Sequence, residues 1–515
     1  MNELDVAQNF VDKLASALQI LDQVSNRELY LIQTYAEYNT IFETVRKTVA
    51  EASGKEPTVL LDSIEYLLCQ ARSMNKSNQL SYAMAICIQM DLLITYTEVN
   101  DQIWCNGRLS LHSLIPIWNA TETICIAQLN QNRLETGICV FPRFPVSVAS
   151  FPQNGGFKDR RLASRDAMYG INNFLQNVGY YPWNEAVPEV THIVLSDCQK
   201  PGEGDVPAFT RVMFSPLTDR KDLLELSNAV SCNFHGITYN AVGLSRIVDE
   251  AYIEKRFAEN WTMACKWHPD IFFAPEMLAT EKIVRELNKG SVFLKPLLKA
   301  VGVNCLVPPR LTVMPTYWKD GKNTAFIFDA TGKLCGSQKK STPLVNIRHG
   351  WVEAIDMDAK PEILLIHLKN QQRIAIAICA EYLVNISQAT EFLCGMLGAT
   401  LILVPSYSSG EQDFLNNLPM LKPYGTSVIW GNCCGAGQED ESSHSRIVGG
   451  VSLAGVDGLL RMGSVCKCGF HCSESKCCLF QVDIPHSIRQ IKPNSFDGTK
   501  LEHHFQPIQQ NLLWK

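Results

Sequence analysis

From about residue 207 onward the sequence predicts an α/β fold, preceded by a mostly α-helical N-terminal region. Three observations predict it. Arg373-Ile-Ala-Ile-Ala-Ile-Cys-Ala-Glu381 is an apolar run of strand length, and its Ile residues favour a buried pleated surface. It leads into Gln388–Leu397, which has helical spacing, and then into a second apolar strand, Gly398–Ser406. Strand, helix, strand is the α/β unit, and such folds place chemistry at the carboxyl ends of their strands. Near the N-terminus, Val6, Phe10, Leu14, Leu18, Leu21 and Val24 recur at three- and four-residue intervals, the single apolar stripe of an amphipathic helix.

Taken in order, residues 1–140 read as the helical N-terminal region, with Ala83–Thr97 a second apolar helical segment. Residues 141–206 read as an irregular connector. Phe141-Pro-Arg-Phe-Pro145, Phe151-Pro-Gln-Asn-Gly-Gly156, Tyr181-Pro-Trp183 and Pro201-Gly-Glu-Gly204 are turn signals there, with one strand expected at His192–Leu195. Residues 207–515 form the α/β domain and its tail. Phe209–Ser215 is an expected strand, Asn240–Ala264 has helical spacing, and Asp270–Ala274 is a short buried strand ending at Pro275-Glu276. A helix from Phe293 and a strand from Val303 follow. Thr324–Asp329 and Gly332–Gly336 then flank an Asp-Ala-Thr-Gly turn, a hairpin signal with Lys339-Lys340 just beyond. Ser427–Asn432 and Gly449–Ala454 are the last clear strands.

Composition narrows the function classes. A chain of 515 residues has room for two to four domain-sized units. Its formal charge of −6 gives no electrostatic reason to expect nucleic acid or an anionic membrane. Over residues 1–140, nine Lys and Arg stand against sixteen Asp and Glu, so that region is better suited to a protein partner. The N-terminus is acidic and amphipathic, unlike a signal peptide, and no run has the length to span a bilayer. The nineteen cysteines are an odd number and follow no export signal, which points to reduced thiols and a cytoplasmic location.

Three reactive groups follow three separate strands or hairpins: Glu276, Lys340 and Cys379. Together they supply what acyl transfer from nitrogen needs. A thiol attacks a carbonyl or nitrile carbon, a carboxylate takes its proton and later activates water, and a fixed cation stabilises the oxyanion. Singly, each has a plainer explanation. A free cysteine is most often a small buried hydrophobe, and a carboxylate in a helix's first turn interacts with the dipole.

The order of these segments resembles the nitrilase, or carbon–nitrogen hydrolase, superfamily over about residues 207–490. Phe-Phe-Ala-Pro-Glu276 is similar to the family's strand ending in Pro-Glu. Gly332-Lys-Leu-Cys-Gly-Ser-Gln-Lys-Lys340 is similar to the segment in which a glycine precedes the lysine by eight, and Ile-Ala-Ile-Cys379-Ala-Glu381 to the nucleophile strand. Gly398–Ser406, Val428–Cys434 and Gly450–Gly458 fall in matching order. The resemblance implies a four-layer α-β-β-α sandwich with Cys379 as nucleophile, Glu276 as general base, Lys340 polarising the intermediate and the Ala380 N–H as second oxyanion donor. It implies no metal and no organic cofactor. Where many members carry a second glutamate eight residues after the lysine, this chain has Arg348, and Glu353, the nearest carboxylate downstream, is the candidate substitute in that secondary role. Members usually have an aromatic residue near the lysine and another after the nucleophile; Gln338 and Ala380 stand here. Spacing selects Lys340 over Lys339, which takes the role if the register slips by one.

Trp318, Glu381, Tyr407 and Phe414 are the candidates for substrate contact. The implied function is cleavage of a small-molecule amide or nitrile, in a homo-oligomer that pairs through Asn385–Met396. The alternative is a non-catalytic or weakly active interaction or regulatory module with a helical assembly domain; nitrilase-like domains also occur beside reverse transcriptases in bacterial defence systems. Cys466, Cys468, Cys472, Cys477 and Cys478 lack the paired C-x2-C knuckles of a zinc site and read as strand thiols. Gly155-Gly156 is not followed by the Lys-Ser/Thr of a phosphate loop.

Overall fold

The computed structural model describes residues 3–22, 24–95, 104–105, 108–110, 124–126, 137–142, 175, 178–182, 188–195, 209–288, 308–330, 332–347, 349–356, 361–368, 372–384, 392–394, 397–424, 426–436, 446–454, 458–464 and 479–485. The chain forms two compact units. One comprises Met1–Gly202 with Leu365–Arg373 and Glu391–Ala399; the other comprises Glu203–Leu364, Ile374–Thr390 and Thr400–Lys515.

The first unit begins with five helices: α1 (Glu3–Asp22), α2 (Asn26–Ile32), α3 (Tyr38–Ser53), α4 (Pro57–Ser73) and α5 (Lys76–Leu92). Local chemistry sets their starts. The Ser25 hydroxyl accepts the Glu28 N–H, the Asn75 side chain accepts the Asn78 N–H, and Pro57 opens α4 where its missing donor costs nothing. The expected stripe of α1 is buried at Val6, Phe10, Leu14, Leu18 and Leu21. It packs on α5, which also meets α3 and α4 and is buried on every side from Ala83 to Asp91, as the central helix of a bundle must be. The helix expected to run to Thr97 stops at Leu92. Ile94-Thr95 are β-branched and pair in parallel with Leu109-Ser110 instead, giving β1 (Ile94–Thr95), β2 (Trp104–Cys105) and β3 (Arg108–Ser110). Further on, β4 (Ile124–Ile126) pairs antiparallel with β7 (Glu189–Leu195), and β5 (Ile138–Pro142) with β6 (Val178–Pro182). Asp91, 1 % exposed at the end of α5, accepts the Val178 N–H at 2.9 Å and so ties β6 to the bundle.

The second unit carries the α/β rhythm. In chain order it contains β8 (Phe209–Phe214), β9 (Leu224–Leu226), β10 (Val230–Phe234), β11 (Ile237–Val242), β12 (Leu244–Ile247), α6 (Glu250–Cys265), β13 (Ile271–Phe273), α7 (Glu281–Asn288) and β14 (Leu311–Val313). Then come β15 (Tyr317–Lys319), β16 (Lys322–Asp329), β17 (Leu334–Lys339), β18 (Val345–Asn346), β19 (Trp351–Glu353), β20 (Glu362–Leu368, continuing into the first unit), β21 (Arg373–Ile376), α8 (Ala380–Val384), β22 (Leu401–Ser406), α9 (Glu411–Asn417), β23 (Ser427–Asn432), β24 (Arg446–Ser452), β25 (Leu460–Ser464) and β26 (Phe480–Pro485). The helical spacing from Asn240 does not give one helix. β11 and β12 occupy its first part, and α6 starts only where Asp249 accepts the Tyr252 N–H.

Two sheets dominate this unit. One has the order β15-β16-β14-β13-β8-β26, with β17 also paired to β16. β8, β13 and β14 are parallel neighbours there, whereas β16, β17 and β26 pair antiparallel with their neighbours. The other runs β21-β22-β23-β24-β25, its first three strands parallel. α6 packs on the first sheet, with Phe257 edge-on to Phe272 at 6.1 Å and the Trp261 indole donating to Thr312. The Phe214 ring lies so close to Gly431 of β23 that a Cβ there would strike it. One residue earlier, and so pointing the other way, Trp430 stacks on Phe414 of α9 at 4.8 Å.

The expected helix from Phe293, the strand from Val303, most of Asn385–Met396, Gly155-Gly156, Arg348 and Cys466–Cys478 lie outside the described residues. Among the described residues, no helix is long and apolar enough to cross a membrane.

Candidate active site

Glu276 is delivered by β13, buried at all three positions, whose run Pro275 ends. The chain beyond it is held down at Thr316, whose N–H donates to the Pro275 carbonyl and whose hydroxyl accepts the Met277 N–H at 2.7 Å. Lys340 follows β17. Alternation along that strand turns Gln338 and Lys340 inward and Lys339 outward, where it meets Glu362 at 3.2 Å. Gln338 braces the strand by donating to the Lys339 and Glu362 carbonyls and accepting the Leu364 N–H. An aromatic ring at 338 would make none of these bonds.

Cys379 sits past the end of β21. The Ala377 and Cys379 N–H groups still pair with Leu403 and Pro405 of β22, so the thiol-bearing residue is registered on the sheet. Its φ of 52° is left-handed, a conformation that costs a non-glycine residue about 1–3 kcal/mol and marks a sharp elbow between β21 and α8. Ala380 opens α8, and its N–H has no partner among the described residues, as expected for a first helical turn.

These three side chains converge. Lys340 Nζ lies 2.8 Å from Glu276 Oε1, and the Cys379 thiol is hydrogen-bonded to the same carboxylate. Glu353 joins them, with Oε2 2.6 Å from Lys340 Nζ. Lys340 therefore sits between two carboxylates, with 1 % of its side chain exposed. Glu353 lies thirteen residues after Lys340, not eight. The hairpin of β18 and β19 around Asn346–Gly350 takes up the difference and returns the chain so that Glu353 reaches the lysine. The Glu353 position is held by its own N–H on Leu344 O and by Leu344 N–H on its carboxylate.

Sequence reasoning passed over Asn323. Its Nδ2 lies 2.8 Å from Glu276 Oε1 and 3.4 Å from Glu353 Oε1. The available signal was its place on β16, the strand paired with the lysine-bearing β17.

The candidates for substrate contact separate. The Tyr407 N–H donates to Glu276 Oε2 at 3.1 Å, so its backbone belongs to the cluster. Both Glu381 oxygens are engaged by protein: Oε1 accepts the Ser341 N–H and hydroxyl, and Oε2 accepts the Ile378 N–H. This carboxylate ties the lysine-bearing segment to the cysteine-bearing one. Phe414 is 1 % exposed and stacked on Trp430, which makes it a core side chain. Trp318 is half-buried on β15, against Gly243.

Burial shapes the electrostatics. It pushes the Glu276 carboxyl up, with Lys340 opposing that rise. For Lys340, burial works against the charge, but Glu276 and Glu353 outweigh it and hold the ammonium well above its usual range. The Cys379 thiol is raised well above the ordinary cysteine value by burial and then by the Glu276 charge. A raised thiol thus lies beside a carboxyl group and an ammonium held in its charged form. Such a group becomes a nucleophile only as its proton leaves to the adjacent base. A recess of about 80 Å³ adjoins Lys340, lined also by Gly321, Lys322, Ser341 and Asp356 and well below the roughly 300 Å³ of a ligand pocket.

No protein-family model and no curated protein matches the chain. Among solved structures it is similar to a cysteine-to-alanine mutant of an amidase of the nitrilase superfamily from Nesterenkonia, at 12 % identity and a TM-score of 0.35, over 57 % of this chain and 98 % of that one. It is similar also to a glutamate-to-glutamine mutant of the Nesterenkonia amidase bearing the acetamide moiety of fluoroacetamide on its active-site cysteine (13 %, TM-score 0.33, 57 % and 100 %). A third is a mutant of that amidase in complex with butyramide (12 %, TM-score 0.32, 56 % and 98 %). Likeness of this degree bears on neither activity nor substrate.

Proposed function

We propose that the chain is a carbon–nitrogen hydrolase of the nitrilase type, cleaving a non-peptide amide or nitrile through a thioester or thioimidate on Cys379. One observation carries this reading: Lys340 lies between Glu276 and Glu353, and the same Glu276 holds the Cys379 thiol, all nine-tenths or more buried. An ion cluster of that kind is a poor way to stabilise a fold and a good way to prepare a nucleophile.

In the proposed reaction Glu276 takes the thiol proton as Cys379 Sγ bonds to the substrate carbon. The oxyanion of the tetrahedral intermediate faces Lys340 Nζ and the free Ala380 N–H. For an amide the C–N bond then breaks, and Glu276 returns its proton to the departing nitrogen; for a nitrile Glu276 gives its proton to the nitrile nitrogen, leaving a thioimidate whose C–N bond breaks only after water adds. For an amide, a thioester remains; Glu276 removes a proton from water, water adds to the carbonyl carbon, and the C–S bond breaks to give a carboxylic acid and the free thiol. Glu353 holds Lys340 in place and balances its charge.

The four-layer sandwich belongs to the same proposal. It is supported by α6 on the first sheet, Phe214 against Gly431 between the sheets, and Phe414 of α9 on the far face of β23. Residues 207–515 would be the catalytic domain. Residues 1–140 would be a region that binds a protein partner, with 141–206 the connector and Asn385–Met396 the self-association segment of a cytoplasmic enzyme.

Ammonia release across a panel of small amides and nitriles tests the reading. At least one member is expected to be hydrolysed by the wild type and by neither Cys379→Ala nor Glu276→Gln. Equal release by all three proteins, or none from any panel member together with Cys379 alkylation no faster than that of the comparably buried Cys265 and Cys433, would leave the cluster without chemistry.

A further inference from the structure

Asn323 touches three members of the cluster at once. Its carbonyl accepts the Lys340 N–H at 2.8 Å, and its Nδ2 reaches Glu276 Oε1 and Glu353 Oε1. The residue is fully buried, and its Oδ1 has no hydrogen-bond partner among the described residues. An orphaned buried acceptor is costly, so a side chain needed only for packing would not be an amide here. Turning the amide over would set Oδ1 against two carboxylate oxygens, which donate nothing when ionised. What this position supplies is two N–H donors without a charge; a serine or threonine would supply one, and a lysine would add a second cation.

We propose that Asn323 is a positioning residue that holds Glu276 and Glu353 apart on either side of Lys340, both in their anionic, acceptor-only form. The proposal rests on the base role assigned to Glu276 above. Counting donors supports it. Glu276 Oε1 receives Lys340 and Asn323, while Glu276 Oε2 receives the Tyr407 N–H; the Cys379 thiol donates to the same carboxylate. Glu353 Oε1 receives Asn323, and its Oε2 receives Lys340 and the Leu344 N–H. Every partner is a donor, so the set favours the acceptor-only form of both carboxylates. Asn323 is the one neutral side chain among the described residues that bonds to both, and without it the anions lose a shared donor in a dry site.

The experiment needs no substrate: the rate of Cys379 alkylation by iodoacetamide, resolved by peptide mass, is followed against pH. Wild type is compared with Glu276→Gln, Asn323→Ala and the near-isosteric Asn323→Asp, each checked for a cooperative thermal transition. The wild-type rate is expected to fall on acidification along a limb that Glu276→Gln lacks. In Asn323→Ala that limb should move up by about one pH unit, and further in Asn323→Asp, with the rate on the alkaline side little changed. A limb that stays in place in a folded Asn323 variant, or a uniform loss at every pH, would reduce Asn323 to packing and overturn the proposal. If the wild type shows no limb that Glu276→Gln removes, the base role itself fails and the Asn323 proposal falls with it.

Discussion

Glu276, Glu353 and Lys340 put two carboxyl groups and one ammonium where water has almost no access, with the Cys379 thiol beside them. Breaking such a set is expensive because the remaining charges stay buried. Lys340→Met should lower unfolding stability by about 3–5 kcal/mol, read by urea titration, as two carboxylates lose their common cation. Glu381 differs in kind. It accepts two hydrogen bonds from Ser341 and one from Ile378, and so ties the segment that carries Lys340 to the one that carries Cys379. Glu381→Ala should cost about 3 kcal/mol of stability and slow Cys379 alkylation, whereas a substrate-binding role would leave stability unchanged. Three of the cluster's side chains were legible from sequence: Glu276 and Cys379 because each follows a short apolar strand, and Lys340 because it follows the Asp-Ala-Thr-Gly hairpin. Glu353 was named only as a substitute, since linear spacing cannot register a hairpin inserted between lysine and carboxylate. Asn323 was hidden because nothing in a strand's sequence says what its neighbour on the sheet carries.

At the scale of elements, β21 and the strands beside it fix the site. Cys379 remains registered to Pro405 of β22, and Glu276 to Ser406 through its own N–H, so both functional groups hang on consecutive residues of one buried strand. Packing between the sheets is tight at Gly431. Gly431→Ala places a methyl against the Phe214 ring, and the overpacking should cost about 1–3 kcal/mol, measured as a shift in the denaturation midpoint. Phe214→Leu in the same chain should recover part of it. An unchanged midpoint in Gly431→Ala would show that the ring moves freely. The β13, β16, β21, β22 and β23 segments could be read because apolar runs end in proline, glycine or polar residues, and β17 because a hairpin turn precedes it. The boundary of α6 could not, because the apolar spacing continues through β11 and β12 and only the Asp249 cap decides where the helix begins.

At the scale of the molecule, the first unit contains a feature outside the proposed chemistry. His192 and His367 meet at 3.0 Å inside it, with Phe141 stacked on the His192 ring. Burial lowers His192 to about 3, and burial with the neighbouring His192 and Arg373 lowers His367 well below its usual range. A histidine lowered in the folded state takes up its proton only on unfolding. Stability is therefore lost as the pH falls from about 6.5 towards 3, by up to about 1.4 kcal/mol per pH unit for each imidazole. Urea unfolding at pH 7.5 and pH 5 should show this loss in wild type and a smaller one in His192→Gln; equal losses would remove the pair as its cause.

Peptide mass analysis of the protein, quenched in acid during turnover of an amide from the panel, tests the central claim most directly. A mass increase equal to the acyl group on the Cys379 peptide, absent in Glu276→Gln and decaying as substrate is exhausted, is the predicted result. Ammonia release with no adduct on Cys379, or an adduct confined to other cysteines, would contradict it.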